Sequence, residues 1–248
     1  MTSYLLLVCA ALAGGLINSV AGGGMFFIFP ALVFTGVPSI IANASSTLAI
    51  IPGILASAWA YRHDFRKTEN FPFVPMVIVS LAGGGAGALL LLLTPQKTFD
   101  FVIPWLLLLA TLLFTFGLRI APVLKRMFHI GPLAVVFIQF LIAVYGGYFG
   151  GAIGIMMLAT WSVFGLADIH MMNAYRTLLG TAANTVAVTL FILAHKIWWP
   201  QTLVMLVATV IGGYIGARFA KKMNPQYLRT VITVISVGIT VAFFLRRH

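Results

Sequence analysis

The chain has 248 residues, of which 61% are hydrophobic and only 8% are charged. Since soluble domains carry about 25% charged residues, this composition excludes a soluble enzyme and indicates a protein that is surrounded by lipid. The net charge of +11 does not predict a nucleic-acid partner, because the basic residues lie at the ends of apolar runs, where the positive-inside rule places cytoplasmic loops.

Eight apolar segments follow one another along the chain, and most have the ~20 residues with which an α-helix crosses a bilayer. Their long runs without alternation are typical of helices and not of barrel strands. The first and fifth segments are longer than one crossing requires, and glycines interrupt them at residues 22–24 and 146–151. The segments are residues 4–35, 40–61, 73–93, 99–120, 132–164, 170–194, 201–220 and 227–245.

The last four segments repeat the first four at an offset of about 130 residues. Duplicated halves that both begin with a broken helix are the sequence pattern of a secondary transporter. We therefore predict an all-α integral membrane protein with transmembrane repeat 1 over residues 1–122 and transmembrane repeat 2 over residues 123–248. The matches are Asn43-Ala44 with Asn173-Ala174, Thr47-Leu48 with Thr177-Leu178, Gly24 with Gly154, and Pro95 with Pro225.

The small-residue stretches at residues 84–88 and 213–217 match at an offset of 129. Small residues allow the backbones of neighbouring membrane helices to approach closely. We expect the glycines of these two stretches to serve helix packing, whereas three consecutive glycines at residues 22–24 are expected to interrupt the helix and to line a cavity, because each disfavours helix by about 1 kcal/mol relative to alanine.

The glycine breaks leave two topologies open: each long first segment is either one bent crossing or a re-entrant hairpin. With Arg176 left out as intramembrane, single crossings divide the Lys and Arg residues nine to five between the two sides, whereas hairpins divide them ten to four. The positive-inside rule favours the hairpins, which make the halves inverted repeats. Hairpins place on the cytoplasmic side Arg62, Arg66, Lys67, Arg119, Lys125, Arg126, Arg218, Lys221, Lys222 and Arg229.

Polar side chains inside apolar segments are the candidate binding residues of a membrane protein. Two such clusters lie at the starts of the second and sixth segments, with Asn184 two turns beyond the latter, and Asn18 precedes the first glycine break. In each cluster an asparagine and a threonine are four residues apart, so they share a helix face. The clusters are Asn43, Ser45, Ser46 and Thr47, and Asn173, Arg176 and Thr177.

Arg176 is the charged residue of these clusters, and it lies roughly 9 Å inside the sixth segment at the rise of an α-helix. A charge inside the membrane is costly unless it is paired or hydrated. Two interpretations stay open. The guanidinium binds an anionic substrate through its parallel N–H donors, or it snorkels to the interface or pairs with Asp168 or with a helix C-terminus.

Chemistry other than transport has little support in this sequence. The four acidic residues lie at segment ends or in loops, so none is placed to carry an ion or a proton through the membrane. The sequence has no phosphate-binding loop, no HExxH pattern and no nucleophile elbow. The single cysteine, Cys9, permits no disulfide within the chain. We therefore expect no catalytic residue, no metal and no cofactor.

Two glycine-rich stretches carry a resemblance to a known family. Residues 14–24 read GGLINSVAGGG and are followed by Pro30 and by NASST at residues 43–47. Residues 145–151 read YGGYFGG and are followed by Gly154, by Asn173-Ala174 and by Arg176. In this order, and over essentially the whole chain, they resemble the two repeats of the TauE/SafE (sulfite exporter) family. The second repeat departs from the first because it reads AIG at residues 152–154 and lacks a partner for Pro30.

The resemblance implies a membrane permease for sulfur-containing or organic anions, with its site between the two repeats. Family members differ in substrate, so it does not specify the anion. Thr47 and Thr177 join the candidate site from the polar clusters. The residues that the resemblance implies for the site are Asn18, Gly22, Gly23, Gly24, Asn43, Ser45, Ser46, Gly150, Asn173 and Arg176.

These observations predict a secondary transporter, and in particular an exporter, of a small anion such as sulfite, a sulfonate or another organosulfur anion, acting by alternating access. Two alternatives stay open at this point: an anion channel with the same site, and a membrane-embedded subunit without transport activity of its own. We expect a multi-pass protein of the bacterial inner membrane whose partners are the anion and the lipid bilayer, and a homo-oligomer is left open.

Overall fold

The computed structural model describes residues 2–65, 71–127, 131–166, 168–220 and 225–245. Within these ranges the chain forms ten α-helices and no strand, which confirms the predicted all-α class. A short 3-10 turn, Arg62–Asp64, follows the third helix. The helices are α1 Thr2–Ala21, α2 Met25–Phe34, α3 Ser39–Ala60, α4 Phe73–Leu93, α5 Gln96–Met127, α6 Pro132–Tyr148, α7 Ile153–Phe164, α8 Ile169–Leu193, α9 Trp199–Ala220 and α10 Pro225–Leu245.

Length and composition make this a multi-pass membrane protein. Five helices of the described ranges, α3, α4, α5, α8 and α9, are long and apolar enough to cross a bilayer. Local residues fix several helix ends. The Asp168 carboxylate accepts hydrogen bonds from the N–H groups of His170 at 2.9 Å and Met171 at 3.2 Å, and thereby caps α8. Pro132 occupies the first turn of α6, where its missing N–H costs nothing.

The predicted glycine breaks are present in both halves. Gly22 between α1 and α2 has a φ of +73°, and between α6 and α7 Gly150 has +80° and Ala152 has +60°. The chain folds back at the first break, because a Cβ added to Gly14 in α1 would contact the side chain of Ile28 in α2. In one continuous helix these two residues would be about 21 Å apart. Helices α1 and α2 therefore form a hairpin, and α6 and α7, which pack against each other across the second break, form the corresponding one.

The two halves have opposite orientations in the bundle, as inverted repeats require. Helices α3 and α8 correspond to each other in the duplication. The start of α3 lies at the end of α8, where the Ser45 hydroxyl accepts a hydrogen bond from the N–H of Trp198 at 2.8 Å. The end of α3 lies at the start of α8, where Tyr61 clusters with Ala174. Since equivalent helices run antiparallel, the axis that relates the halves is perpendicular to them.

An equivalent pair of residues marks the position of this two-fold axis. The hydroxyls of Thr111 in α5 and Thr240 in α10 are hydrogen-bonded at 3.1 Å, and the two residues are 129 positions apart. Helix α1 packs on α9 and α6 packs on α4, which is the exchange of neighbours that such an axis produces. The predicted division at residues 122 and 123 falls within α5, which continues to Met127, and it stays a prediction.

Close contacts between these helices depend on glycine, in agreement with the packing role expected for residues 84–88 and 213–217. A Cβ on Gly87 would meet the main chain of Val144 in α6, and a Cβ on Gly213 would meet the main chain of Gly53 in α3. Such approach maximises van der Waals contact where lipid provides no hydrophobic driving force between helices.

The directions of the helices place basic residues at one end of the bundle, as the hairpin topology predicts. Helices α3 and α9 are parallel, since Thr209 Oγ1 donates to the carbonyl of Ala49 at 2.5 Å and Ser57 Oγ donates to that of Gly213 at 3.4 Å. Arg62, after α3, and Arg218, in the last turn of α9, therefore lie at the same end. Several other predicted cytoplasmic residues lie outside the described residues: Arg66, Lys67, Lys221 and Lys222.

Candidate functional site

The Arg176 guanidinium lies where the first hairpin turns. It is only 4% exposed, and it donates from Nη1 to the carbonyl of Asn18 and from Nη2 to the carbonyl of Ser19, both at 3.0 Å. These carbonyls belong to the last turn of α1, which carries the negative end of the helix dipole. Pairing with a helix C-terminus, one of the interpretations left open above, is therefore present. The Arg176 Nε atom has no hydrogen-bond partner.

The two hairpin breaks meet at this arginine. A Cβ on Gly22 would lie within 2.7 Å of Cα of Gly154 and would also collide with the Arg176 guanidinium. A Cβ on Gly154 would lie 2.8 Å from Cα of Gly22 and 2.9 Å from Cδ of Arg176. Only glycine at both positions permits this approach, and the φ of +73° at Gly22 independently favours glycine.

A central cavity of about 30 Å³ lies between α3, α8 and the two hairpins. A water molecule needs about 10–15 Å³ on this measure, so the cavity has room for a ligand of a few atoms. Its polar lining comes from both halves of the chain. It is lined by Asn18, Gly22, Met25, Thr47, Ile50, Ile54, Gly150, Ile153, Gly154, Met157, Arg176, Thr177, Gly180 and Asn184.

Half of the predicted site residues line this central cavity. These are Asn18, Gly22, Thr47, Gly150, Arg176 and Thr177. Their role in binding stays a prediction.

Gly180, which the sequence did not indicate, and Asn184, which was noted beyond the second polar cluster but not included in the predicted site, also line the cavity. Asn184 is 4% exposed, and its side-chain oxygen has no hydrogen-bond partner. The helical period could have indicated both residues, because residues 176, 180 and 184 share one face of α8 at four-residue spacing.

Asn43 lies outside the cavity lining and performs a capping role that matches that of Arg176. Its Nδ2 donates to the carbonyl of Tyr148 at 3.0 Å, in the last turn of α6. Tyr148 is 130 positions after Asn18, so the two bonded carbonyls are equivalent in the duplication. One half satisfies this carbonyl with a neutral amide, and the other half satisfies it with a cation.

The other predicted residues support the helices around the cavity. The Ser45 hydroxyl accepts from Trp198 at the start of α9, while Ser46 Oγ donates to the carbonyl of Ala42 in its own helix at 2.6 Å. A Cβ on Gly23 would contact Phe114, and one on Gly24 would meet the side chain of Ile50.

Asn173 is buried, at 6% exposed, and its side-chain oxygen has no partner. Across the ranges that the structure describes, no group of three His, Cys, Asp or Glu residues comes together as a metal site.

Comparison with known proteins gives one family. A family model described as Sulfite exporter TauE/SafE matches residues 6–243. A probable membrane transporter protein of Haemophilus influenzae is 25% identical over 237 residues, which cover 95% of this chain and 92% of that protein. The probable membrane transporter protein YfcA of Escherichia coli K12 is 24% identical over 241 residues, covering 96% and 88%. No solved structure matches the chain.

Proposed function

Because this chain belongs to the TauE/SafE sulfite exporter family and is a membrane transporter, we propose that it moves a small sulfur oxyanion, with sulfite as the first candidate, by alternating access at the central cavity. The direction proposed is export across the bacterial inner membrane. The partners of the protein are then the anion and the surrounding lipid, and it binds no nucleic acid.

The observation that carries this proposal is the buried Arg176 beside the cavity. A guanidinium has five N–H donors, and two of them are engaged with the carbonyls of Asn18 and Ser19. The unpartnered Nε–H is costly in a buried site, and an anion in the cavity would satisfy it with a charge-assisted hydrogen bond. Arginine suits an oxyanion because its planar fork matches the spacing of two oxygens.

Two helix N-termini add to the attraction for an anion. Helices α2 and α7 begin at Met25 and Ile153, and both of these residues line the cavity. The first-turn N–H groups of a helix have no acceptor within that helix, and its dipole places partial positive charge there. The two N-termini approach from opposite hairpins, so each half contributes partial positive charge, while Arg176 and Asn43 cap the opposing C-terminal turns of α1 and α6.

The volume of the cavity favours the smallest anions of this class. At about 30 Å³ it has room for a ligand of a few atoms, judged by the 10–15 Å³ that one water requires. A sulfonate with an organic tail would need the surrounding helices to separate. The antiparallel α3 and α8 both line the cavity, so rocking of one repeat against the other would expose the same lining to alternate sides, as in other inverted-repeat transporters.

Counterflow in liposomes tests the proposal. Purified protein is reconstituted, and uptake of radiolabelled sulfite is measured with and without unlabelled sulfite inside. We expect saturable uptake that internal sulfite accelerates and that sulfate, thiosulfate, methanesulfonate and acetate inhibit to different degrees. Uptake without acceleration would indicate a channel, and the absence of sulfite flux would indicate either another substrate or a subunit without transport activity; each of these results contradicts the proposal.

A matched pair of variants links the flux to the site. Arg176→Gln removes the buried charge, while Arg218→Gln makes the same change at an exposed arginine that lies over the ring of Tyr214 at 4.8 Å. We expect loss of saturable uptake in the first variant only. Equal loss in both variants would show that charge at the protein surface, and not the central cavity, controls uptake.

A further inference from the structure

A second and larger cavity lies at the end of the bundle opposite to Arg62 and Arg218. It has a volume of about 590 Å³ and forms where α2 ends and where α3 and α5 begin. Since the basic loops mark the cytoplasmic end, this outer cavity faces the opposite side of the membrane. It is lined by Val33, Gly36, Val37, Pro38, Ser39, Gln96, Lys97, Asp100, Phe101, Ile103, Pro104 and Phe243.

A hydrogen-bonded group holds the polar wall of the outer cavity in place. The Ser39 hydroxyl donates to Oδ1 of Asp100, and Gln96 Nε2 donates to the same oxygen at 3.0 Å. The bonds tie the start of α3 to the start of α5. With Lys97 beside Asp100, this wall carries one charge of each sign, so it attracts neither cations nor anions strongly.

One face of α2 connects the two cavities. Met25 lines the central cavity and Val33 lines the outer one. Phe29 lies between them at four-residue spacing, so the three side chains share one face of the helix. Phe29 is fully buried.

Two further rings extend the barrier on each side of Phe29. The Phe149 ring is 5.5 Å from that of Phe29 at an interplanar angle of 81°, and Phe149 precedes Gly150 of the central cavity. The Phe243 ring is 5.8 Å from that of Phe29 at 26°, and Phe243 lines the outer cavity. The order from the centre outward is therefore Phe149, Phe29, Phe243.

We propose that the outer cavity is the extracytoplasmic mouth of the transport route and that the Phe29 ring, between Phe149 and Phe243, is the gate that separates it from the anion site. The proposal rests on the proposed function. A layer of buried aromatic rings offers no hydrogen bond to an ion, so it closes the route to an anion until the rings separate.

The helix that carries Phe29 has a local weakness at the next residue. Pro30 lies inside α2, where it removes one main-chain hydrogen bond and favours bending. The second repeat has no proline at the corresponding position of α7. Bending of α2 at Pro30 would move the Phe29 ring away from Phe149 without breaking the remainder of the hairpin.

Cysteine accessibility tests the gate without requiring transport. In a Cys9→Ser background, which lacks cysteine, Gly180→Cys places a thiol in the central cavity, where an added Cβ has nothing within 4 Å. Lys97→Cys places one in the outer cavity. Intact cells are treated with a negatively charged, impermeant methanethiosulfonate, which is larger than the closed central cavity of about 30 Å³ and therefore reports its opening, and the rate of labelling is measured. We expect fast labelling of Lys97→Cys and slow labelling of Gly180→Cys.

Opening the gate should change only the labelling rate of Gly180→Cys and leave that of Lys97→Cys unchanged. Phe29→Ala is expected to accelerate labelling of Gly180→Cys by about tenfold or more, the effect of lowering a barrier by about 1.4 kcal/mol. Phe29→Leu, a smaller change, is expected to give an intermediate rate and serves if the alanine variant does not fold. Phe26→Ala is the control, because Phe26 is equally buried on α2 but packs against Phe114 at 6.0 Å, away from both cavities.

Three outcomes overturn the inference. Slow labelling of Lys97→Cys from outside would show that the outer cavity does not open on that side. Equal acceleration by Phe26→Ala and Phe29→Ala would indicate general loosening of the fold. No acceleration by either Phe29 variant would show that Phe29 does not limit access to the central cavity. If the gate variants accelerate labelling while the liposomes show no sulfite flux, the route stands and the proposed substrate is wrong.

Discussion

Replacing Arg176 separates its two roles, since it both caps a helix and faces the central cavity. Arg176→Gln keeps a side-chain amide that can donate to one of the carbonyls of Asn18 and Ser19. It loses one of the two charge-assisted bonds of 3.0 Å and converts the other to a neutral bond. Charge-assisted bonds contribute about 1.5–3 kcal/mol and neutral bonds about 1 kcal/mol, while removal of a buried charge offsets part of the loss. We therefore expect a moderate fall in melting temperature and a folded protein.

We expect a larger effect on anion binding than on stability, because glutamine has no charge with which to attract the anion. Loss of one charge-assisted hydrogen bond of about 1.5–3 kcal/mol raises the dissociation constant by about tenfold to a hundredfold. Arg176→Lys should restore part of the affinity, since an ammonium supplies the charge but not the fork. The assay is the dissociation constant for sulfite by calorimetry in detergent, after elution as a single monodisperse peak has been established.

The two measurements together refute or support the reasoning. A lower melting temperature with an unchanged dissociation constant would show that Arg176 only caps α1 and that the anion binds elsewhere. Arg218→Gln is the control, because this side chain is exposed and stacked on Tyr214, and it should change neither quantity.

Three further predictions concern packing and topology. Gly87→Ala is expected to lower the melting temperature strongly because its Cβ would meet the main chain of α6, whereas Gly238→Ala, with nothing within 4 Å, gains about 1 kcal/mol of helix propensity; equal shifts in scanning fluorimetry would contradict this. Gly22→Ala should abolish sulfite uptake and Gly165→Ala should not. The angle φ is positive at both glycines, +73° and +118°, but only Gly22 has close neighbours, since a Cβ on Gly165 would meet nothing nearer than Lys125 Nζ at 3.9 Å; equal uptake by the two variants would refute this. Lys222→Cys, outside the described residues, should react with an impermeant reagent only from the cytoplasmic side, and labelling in intact cells would contradict the hairpins.

The breaks and the duplication could be predicted from the sequence because they depend on local chemistry. Consecutive glycines at residues 22–24 disfavour helix wherever they occur, and matching residues at a constant offset are visible without a structure. The distribution of charge favours the hairpins, and the parallel course of α3 and α9 agrees with it, since Arg62 and Arg218 lie at the same end of the bundle.

The partners of individual polar side chains could not be predicted, because they depend on which helices become neighbours. Ser45 and Ser46 are adjacent and chemically identical, yet one hydroxyl accepts from the N–H of Trp198 and the other donates to its own helix. Asn43 was predicted as a binding residue; its amide caps α6, a partner that the sequence did not indicate, and its role in binding stays a prediction. The outer cavity had no signal at all, since its lining comes from α2, α3, α5, α10 and the connection between α2 and α3.

The unequal caps on the two hairpins have an energetic consequence. In a transporter with identical halves, rotation about the two-fold axis would convert the outward-open state into the inward-open state, so the two would have equal free energy. Here an amide from Asn43 holds one turn and the cation of Arg176 holds the other, so the degeneracy is lifted, and each 1.4 kcal/mol of difference changes the ratio of the states tenfold. Under the proposed alternating-access mechanism, the empty carrier therefore prefers one orientation, and binding of an anion at Arg176 would change that preference.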